Sequence, residues 1–489
     1  MKIKNAKKLL ALALCGCMAM GLTGCTQNVN AANNNSDTPN TETGNPVNNP
    51  PKSEELKIDE SFTAADMRFS AELFKNTYRL SEKDENVLVS PLSVLPALAM
   101  TANGADKETL SEMERVLGGD LDIDLLNRYL ASYLNGTKSA EDVDFHIANS
   151  IWFREDPRLD INKDFLQKNS QYYGSEIYKE PFDQSTVDKI NGWVNENTHE
   201  MIPEIIKKLD DSAMMCLINA LAFEAKWEEE YSEDQIWGTP FTNIDNTKTD
   251  VQMMNSTEYE YLEAENAAGF IKNYKGGKYA FAALLPDENT SIDDFAASLT
   301  DTRLSEILNN VQQTEVHVGI PEFKCEYGTS LNDALKEMGM PTAFDPDKAS
   351  FSKMALVDGA DSLYISDVIH KTFIEVDRKG TKAAAATAVI VAEGCAIDED
   401  PPKVVVLERP FVYMILDREN NLPVFIGAVR MLSWADGCLS CADGSLSCAD
   451  GLFVRFKSAF RFIFCCNSCA FQNCFIYSRV ENPPPCGGR

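Results

Sequence analysis

Histidine is scarce in this sequence, which has only four of these residues: His146, His199, His317 and His370. None of them stands in a nucleophile elbow, an HExxH motif or a cysteine–histidine arrangement. A phosphate-cradling glycine-rich loop is also missing, and so is a metal-ligand cluster within residues 58–434. The sequence therefore gives no reason to expect an enzyme, a cofactor or a bound metal.

Basic residues are outnumbered, because the chain has 45 Lys and Arg against 75 Asp and Glu and a net charge of −30. Binding to a polyphosphate needs clustered Lys and Arg, so the deficit argues against a nucleic-acid partner. The same deficit argues against a basic helix that would bind a polyanion such as heparin. The excess of acidic residues favours solubility over recognition of a particular partner.

The central part of the chain is also poor in cysteine. Only Cys216, Cys325 and Cys395 lie within residues 58–434, too few for a disulfide framework. Eight of the fourteen cysteines fall in the tail, residues 435–489, where ADGCLSC is followed by a near copy. Two Cys-x-x-Cys spacings leave a metal site in the tail open. A tandem expansion or frame-shifted extension with little structure is the favoured interpretation.

The N-terminus lacks an apolar run long enough for an ordinary transmembrane span. Residues 1–8 are basic and residues 9–22 form a short apolar stretch, which is typical of an export signal over residues 1–24. The ending LTGC resembles a bacterial lipobox, which implies cleavage before Cys25 and lipid attached to its sulfur. An ordinary secretory leader with an incidental cysteine is the alternative.

Residues 25–57 are rich in Asn, Thr, Pro and Ser and have almost no large apolar side chains. They bury too little surface to fold, so we predict a disordered tether. Lipid on Cys25 would hold the protein by this tether on the bacterial cell surface, unless the protein is released into the medium. We therefore expect it to meet soluble partners outside the cell.

Residues 371–389, KTFIEVDRKGTKAAAATAV, combine a strand-like stretch with a glycine and a run of small side chains. Gly380 supplies a hinge. In a strand, alternation would place Thr381, Ala383, Ala385 and Thr387 on one face, with Lys382 and further alanines on the other. Small inward side chains let a strand enter a sheet without overpacking the core. Taken alone, the alanine run fits a helix equally well.

This segment and its surroundings resemble the serpin family over roughly residues 62–429. The matching motifs follow the family's order: NVLVSPLS (86–93), ALAMTANGA (97–105), IANSIWF (147–153), LINALAFEAKW (217–227), YAFAALLP (279–286), IPEF (320–323), LKEMGM (335–340), RPF (409–411) and FIGAV (425–429). The resemblance implies a single α+β serpin domain over residues 58–434. Such a domain has three β-sheets, about eight to nine helices and an exposed reactive-centre loop.

Serpin resemblance implies inhibition of serine proteases by a suicide mechanism. A protease attacks the exposed loop and forms an acyl-enzyme, and the cleaved loop then enters the central sheet before the ester is hydrolysed. The hinge, Gly380 with Thr381, Ala383, Ala385 and Thr387, has no bulky, charged or proline residue at an inward position. We therefore interpret the chain as inhibitory. We also expect it to be a monomer. The alternatives are a non-inhibitory surface binding protein and, with less support, a hydrolase with an unrecognised site.

Two groups of residues match positions that the family uses to control sheet opening. Ser90, Ser93, Asn219 and His370 match the polar cluster beneath the sheet centre, which is called the shutter. Taken singly, each is more often a satisfied core polar residue or a helix cap.

Trp227, Glu322 and Arg378 match the breach at the top of the sheet. The family commonly has an acidic residue where Arg378 stands and a lysine where Glu322 stands, so the polarity here is swapped but complementary. We predict that this pair holds the breach closed; two unrelated surface charges are the alternative. An exposed pair of this kind contributes under about 1 kcal/mol.

The reactive bond falls in a short window with the residues Gly394, Cys395, Ala396, Ile397 and Asp398. Counting from the hinge places the cut after Gly394, whereas counting back from the RPF motif places it near Ala396 to Asp398. The window contains no Arg or Lys, so trypsin-like proteases are poor candidates. Small and apolar residues favour elastase-like serine proteases as partners. If Asp398 is the key residue, the partner would be an Asp-preferring protease.

Overall fold

The computed structural model describes residues 56–137, 143–381 and 402–433. In these ranges the helices are α1 (Glu60–Leu80), α2 (Pro91–Ala102), α3 (Lys107–Leu117), α4 (Ile123–Gly136), α5 (Lys163–Tyr173), α6 (Gln184–Asn197), α7 (Ile292–Ser298), α8 (Asp301–Asn309) and α9 (Asn332–Met338).

The strands of the same ranges are β1 (Val87–Val89), β2 (Val143–Arg154), β3 (Leu159–Ile161), β4 (Glu176–Glu180), β5 (Met215–Lys226), β6 (Ile236–Thr242), β7 (Lys248–Ala264), β8 (Ala267–Asn273), β9 (Tyr279–Pro286), β10 (Gln312–Pro321), β11 (Phe323–Ser330), β12 (Ala355–Val357), β13 (Ile369–Asp377), β14 (Gly380–Thr381), β15 (Lys403–Val406), β16 (Phe411–Asp417) and β17 (Leu422–Val429).

These strands form three sheets. A nine-stranded sheet has the order β1-β17-β16-β9-β8-β7-β10-β15, with β6 also paired to β7. The central sheet has six strands in the order β11-β13-β14-β5-β2-β4, and β12 pairs with β3 in a small third sheet. Pairing is antiparallel except between β10 and β15 and between β2 and β4. Nine described helices and three sheets confirm the α+β architecture that the sequence predicts.

Local sequence explains where the principal helices begin. The Asp59 carboxylate accepts hydrogen bonds from the backbone N–H of Ser61 and Phe62 and so caps α1. Ser90 caps α2 in the same way through Ser93, and Pro91 at the first helical position needs no hydrogen-bond partner for its nitrogen. The cap of α2 is thus one of the predicted shutter residues.

The main core lies between the central sheet and the nine-stranded sheet. Phe323 of β11 packs edge-on against Tyr413 of β16 with ring centroids 5.2 Å apart. Phe223 of β5 and Phe425 of β17 make a second contact between the sheets, at 6.4 Å. Every residue of β9, β16 and β17 is buried. The continuous apolar character of these strands follows from coverage on both faces.

The other face of β2 and β5 packs against α6 and the residues that follow it. We call residues 198–209 the cover segment. Side chains alternate between faces, so Ile151 joins the main core whereas Trp152 joins this second apolar cluster. The cluster contains Trp152, Phe182, Val187, Ile190, Trp193, Val194, Ile202, Ile206, Ile218 and Ala220. The cover segment is therefore held on the central sheet mainly by burial of apolar surface.

Several predictions fall outside the described residues: the signal, Cys25, the tether up to residue 55, the hinge beyond Thr381, the reactive window and the tail. At the N-terminal edge, Leu56 packs against the main core and its backbone N–H donates to Ser132 Oγ at 2.9 Å. Leu56, just before the predicted start of the domain at residue 58, thus contacts the folded body. Among the described helices, none is long and apolar enough to cross a membrane.

Candidate functional site

The hinge begins as a short strand inside the central sheet. After β13 the chain turns over residues 377–380, and Gly380 and Thr381 then pair antiparallel with strands on both sides. On one side Thr381 lies opposite Val376 of β13, and on the other it lies opposite Ala225 of β5. The first two hinge residues therefore occupy a strand position between β13 and β5.

The turn that precedes β14 is fixed by hydrogen bonds. The Asp377 carboxylate accepts from the backbone N–H of Lys379 at 2.8 Å and of Gly380 at 3.1 Å. Trp227 donates its indole N–H to the Asp377 carbonyl at 2.8 Å and its backbone N–H to the Lys379 carbonyl at 2.9 Å. Burial raises the pKa of the Asp377 carboxyl, and the two backbone donors oppose that rise. The predicted breach residue Trp227 thus contacts the turn itself.

Thr381 faces inward, where the alternation places it. Its side chain is buried, and its hydroxyl lies 2.6 Å from that of Tyr274. Tyr274 in turn stacks on Trp227, with ring centroids 4.7 Å apart and an interplanar angle of 6°. The first inward hinge side chain is therefore buried against the stacked rings of Tyr274 and Trp227. A threonine fits this position, whereas a basic side chain would bring a charge into a buried site.

Gly380 is required by the geometry of this turn. Its φ is +155°, and a Cβ atom there would lie 2.1 Å from the carbonyl oxygen of Ala225. We expect Gly380→Ala to expel residues 380–381 from the sheet, at a cost of roughly 1–3 kcal/mol. Hydrogen exchange of the backbone amides in the last residues of β5, which pair with β14, should then be faster than in the wild-type protein.

Gly276→Ala is the matched control for this prediction. Gly276 also has a positive φ, +81°, but a Cβ there meets open space. The control carries backbone strain without the clash and should leave exchange in β5 unchanged. Equal acceleration in both variants would contradict the steric role of Gly380.

The predicted breach pair is in contact. Arg378 Nε donates to Glu322 Oε1 at 3.3 Å. The Glu322 side chain is only 2% exposed and that of Arg378 is 41% exposed, so the pair is half-buried rather than superficial. Burial raises the pKa of Glu322, and the Arg378 charge and hydrogen bond oppose the rise. A carboxylate in this position depends on its cation more than an exposed one does.

The four predicted shutter residues lie together. His370 Nε2 of β13 accepts from the Ser90 backbone N–H at 3.1 Å, and Ser90 Oγ accepts from the Ser93 N–H at 3.2 Å. Ser93 Oγ then donates to Asn219 Oδ1 of β5 at 2.6 Å, and the Asn219 amide donates to Asn149 of β2 at 2.8 Å. This chain of hydrogen bonds links β13 to β5 and β2 through the start of α2. Asn149 was missed, although it lies in the quoted motif IANSIWF.

The hydrogen bond from Ser90 determines the protonation state of His370. Because Nε2 accepts a proton donor, the imidazole is neutral and carries its proton on Nδ1. Burial lowers the pKa of His370 from 6.5 to about 4, since the charged ring would lose its hydration. A proton on Nε2 would also place two N–H donors against each other. Protonation of His370 at low pH would therefore break the shutter hydrogen bond between His370 and Ser90.

Acidification should destabilise the native state through His370. The pKa of His370 is lower in the folded state than in the unfolded state, so the stabilisation from neutral His370 is fully present above pH 6.5. It decreases as the pH falls from 6.5 and is lost once the pH has fallen through about 4. The expected loss over this window is roughly 3 kcal/mol. The measurement is the free energy of unfolding at several pH values for wild type and His370→Gln. A pH dependence of the same size in both proteins would contradict the assignment.

A space that we call the strand gap continues below Thr381 between β5 and β13. No backbone pairing between described residues joins these two strands directly. The walls include Leu221 and Phe223 of β5 and Thr372 of β13, and Met201 and Ile205 of the cover segment lie above. Ser90, Ser93 and Asn219 also line it. The gap thus runs from the hinge to the shutter.

A cluster that the sequence analysis did not anticipate lies beside the cover segment. Asp144 and His146 of β2 meet His199, which follows α6, and one ligand atom from each lies within 4.8 Å of the others. The spacing Asp-x-His on one strand was the available local signal. Its third member is more than fifty positions away in the sequence, and only the packing of α6 on the sheet brings it near.

Among the described residues, the central sheet thus has an unpaired strand position between β5 and β13, and the two residues of β14 occupy one end of it. The family model described as "Serpin (serine protease inhibitor)" matches residues 64–431. The chain therefore belongs to the serpin family.

Individual relatives agree with this assignment. An uncharacterized serpin-like protein of Thermococcus kodakarensis is 31% identical over 376 residues, which cover 76% of this chain and 85% of that protein. The leukocyte elastase inhibitor of Equus caballus is 29% identical and covers 75% of this chain and 98% of that protein.

Among solved structures, the chain is similar to tengpin, a thermophilic serpin, in its native state. The TM-score is 0.73 with 46% identity, and the match covers 79% of this chain and 98% of tengpin. For tengpin in its latent state the TM-score is 0.69 with 43% identity, covering 78% and 100%.

Proposed function

We propose that this protein is an inhibitory serpin that traps extracellular serine proteases through insertion of its cleaved loop. The observation that carries the proposal is the position of Gly380 and Thr381 between β13 and β5, at the upper end of the strand gap. These residues start a strand that has backbone partners on both sides. Each further residue would gain hydrogen bonds to β5 and β13, which favours continued insertion.

The chemistry of trapping requires no catalytic group from the serpin. The protease serine attacks the scissile carbonyl, the amine of the following residue leaves with a proton, and the loop remains attached as an ester. Loop insertion must then carry the ester away from the water that would hydrolyse it, and it must do so before hydrolysis occurs. The serpin contributes a hinge whose inward face has no bulky or charged side chain. It also contributes a shutter in which only a small number of hydrogen bonds must break before the strands can separate.

Elastase-like serine proteases are the target class that we favour for this protein. The window Gly394, Cys395, Ala396, Ile397 and Asp398 offers small or apolar residues to a shallow pocket and no basic residue for a carboxylate. A relative named leukocyte elastase inhibitor supports the same class. An Asp-preferring protease would point instead to Asp398.

The test is incubation of the purified protein with an elastase-type serine protease, followed by denaturing gel electrophoresis and intact mass measurement. A denaturant-stable complex is the expected result, and the mass of the released C-terminal peptide identifies the bond. Cleavage without a complex, for elastase-type and Asp-preferring proteases alike, would support the non-inhibitory alternative. In that case an unchanged melting temperature after cleavage would show that the loop does not insert.

We also propose that lipid on Cys25 anchors the protein at the bacterial cell surface, with residues 25–57 as a tether. The support is the sequence of residues 1–25, which has a basic start, a short apolar stretch and the ending LTGC. Mass spectrometry of the protein from its own membranes should find the N-terminal peptide carrying acyl groups. Cys25→Ser should release the protein into the soluble fraction; retention in the membrane would argue against the anchor.

A further inference from the structure

Three potential metal ligands meet where the cover segment joins β2. Asp144 faces both imidazoles: its Oδ1 contacts His146 Nε2, and its Oδ2 lies 3.2 Å from His199 Nδ1. The two rings are close to each other, with centroids 4.3 Å apart. Each of the three side chains is about 40% exposed, so an ion can reach the cluster from solvent.

The ligands are held by the fold on both sides. Asp144 and His146 are alternate residues of β2, so they project from the same face of the sheet. His199 has a left-handed backbone with φ of +49°, and Glu200 follows with φ of +65°. The Glu200 N–H bonds to the Asn195 carbonyl at 2.8 Å, which fixes this turn at the end of α6. Residues held in such uncommon conformations cluster at functional sites.

The donor set matches the chemistry of a divalent transition metal. Two imidazoles and one carboxylate are ligands that Zn²⁺ accepts, with water in the remaining position. Ligand atoms around tetrahedral zinc are separated by about 3.3 Å, close to the spacing between Asp144 and His199. Glu224 is the direct cross-strand partner of Asp144 on β5, so it adds negative charge to the same face.

The position of this cluster relates it to the strand gap. Near one end of the cover segment, His199 contacts β2 through Asp144. Farther along, the Glu204 carbonyl accepts a hydrogen bond from Lys371 Nζ of β13 at 3.0 Å. Between these points Met201 and Ile202 line the gap, and Ile205, directly after Glu204, lines it as well. The cover segment therefore spans the path that an inserting strand would take.

We propose that Asp144, His146 and His199 bind one Zn²⁺ ion and that the ion clamps the cover segment to β2. Coordination replaces solvent-exposed contacts between the carboxylate and the two rings with bonds from both the sheet and the cover segment to one centre. The bound ion slows movement of the cover segment away from the sheet. Its effect on protease trapping rests on the proposed function, whereas binding and clamping do not.

Zinc binding is tested by titration calorimetry of the whole protein, purified without a histidine tag. Wild type should bind one more Zn²⁺ per chain than His146→Gln or His199→Gln, and Asp144→Asn should weaken this binding at least tenfold. His317→Gln is the matched control, because His317 is also exposed and lies 3.0 Å from the carboxylate of Glu315. Equal Zn²⁺ stoichiometry and affinity in wild type and the two histidine variants would overturn the site.

Cysteines of the tail are a second source of zinc ligands, so Co²⁺ serves as a spectroscopic probe. Cobalt at the proposed site has nitrogen and oxygen ligands and gives no thiolate-to-metal charge-transfer band. The part of the Co²⁺ spectrum that disappears in His199→Gln should therefore lack this band. If the lost part contains it, the ion is bound by cysteine and the proposal is wrong.

Clamping is tested by hydrogen exchange without any protease. Saturating Zn²⁺ should slow exchange of the cover segment in wild type and in His317→Gln but not in His199→Gln. Binding without slower exchange would overturn the clamp. With an elastase-type protease, Zn²⁺ should slow covalent trapping. A protein that binds Zn²⁺ at this site yet traps no protease would retain the clamp and contradict the proposed function instead.

Discussion

Thr381→Arg should leave cleavage of the loop intact but abolish the denaturant-stable protease complex. Thr381 is buried between β13 and β5, with its hydroxyl against Tyr274 and the ring of Trp227 behind that tyrosine. An arginine there would bring a charge into a buried position against these rings, which costs several kcal/mol, on the order of 3–5. Insertion would then be slower than hydrolysis of the ester. The ratio of complex to cleaved serpin on a denaturing gel measures the effect.

Thr381→Val is the control, because it keeps the size and branching of threonine and loses only the hydroxyl. Its complex yield should remain close to that of wild type. If Thr381→Arg trapped protease as well as Thr381→Val does, the assignment of Thr381 as the first inward hinge residue would be wrong. If neither variant formed a complex, the hydroxyl bond to Tyr274 would be the requirement instead of the absence of charge.

Arg378→Glu should promote polymerisation by opening the breach. The substitution puts a second carboxylate beside Glu322, which is almost fully buried. Loss of the cation leaves the Glu322 charge uncompensated, and we expect the native state to lose about 2–3 kcal/mol, less than for a fully buried pair because Arg378 is partly exposed. Native gels and size-exclusion chromatography during mild heating give the polymerisation rate.

The double variant Arg378→Glu/Glu322→Arg decides whether the pair itself is responsible. It restores a complementary contact, with the polarity that the family commonly shows, and should return the protein toward the monomer. Lys248→Glu makes the same change of net charge at an exposed position and should have little effect. A single variant Arg378→Glu that polymerised no faster than Lys248→Glu would make the breach pair incidental.

Ordered motifs were enough to predict the fold, because together they match the strands and helices of one family in the family's order. IANSIWF and LINALAFEAKW became the neighbouring strands β2 and β5, with Asn149 opposite Asn219. The contact between Arg378 and Glu322 could also be predicted, since opposite charges stand at two matching motif positions. In these cases the family's order supplied the long-range information that local sequence lacks.

Other parts of the site depend on geometry that no motif expresses. The burial of Glu322, which makes its pair with Arg378 more than a surface contact, follows from packing at the junction of β10 and β11. The Asp377 turn needs indole and backbone donors from Trp227, about 150 residues earlier. The Asp144, His146 and His199 cluster exists only because apolar residues hold α6 on the sheet. When distant side chains meet only through packing, no characteristic spacing in the sequence reveals that they are neighbours.

The register of β14 against β5 and β13 determines which residues an inserting loop would face and how far along the sheet it could extend. Extended without a shift, it brings Thr387 opposite Asn219 of β5 and His370 of β13, so an inserting strand would reach the shutter with a hydroxyl. Residue 391 would meet Met215, where β5 begins, after a path of about 34 Å from Thr381. The predicted window starts just beyond, at Gly394. On the proposed mechanism, a protease bonded to the window would therefore be carried along the full length of β5 before the inserting strand passed its last partner on β5.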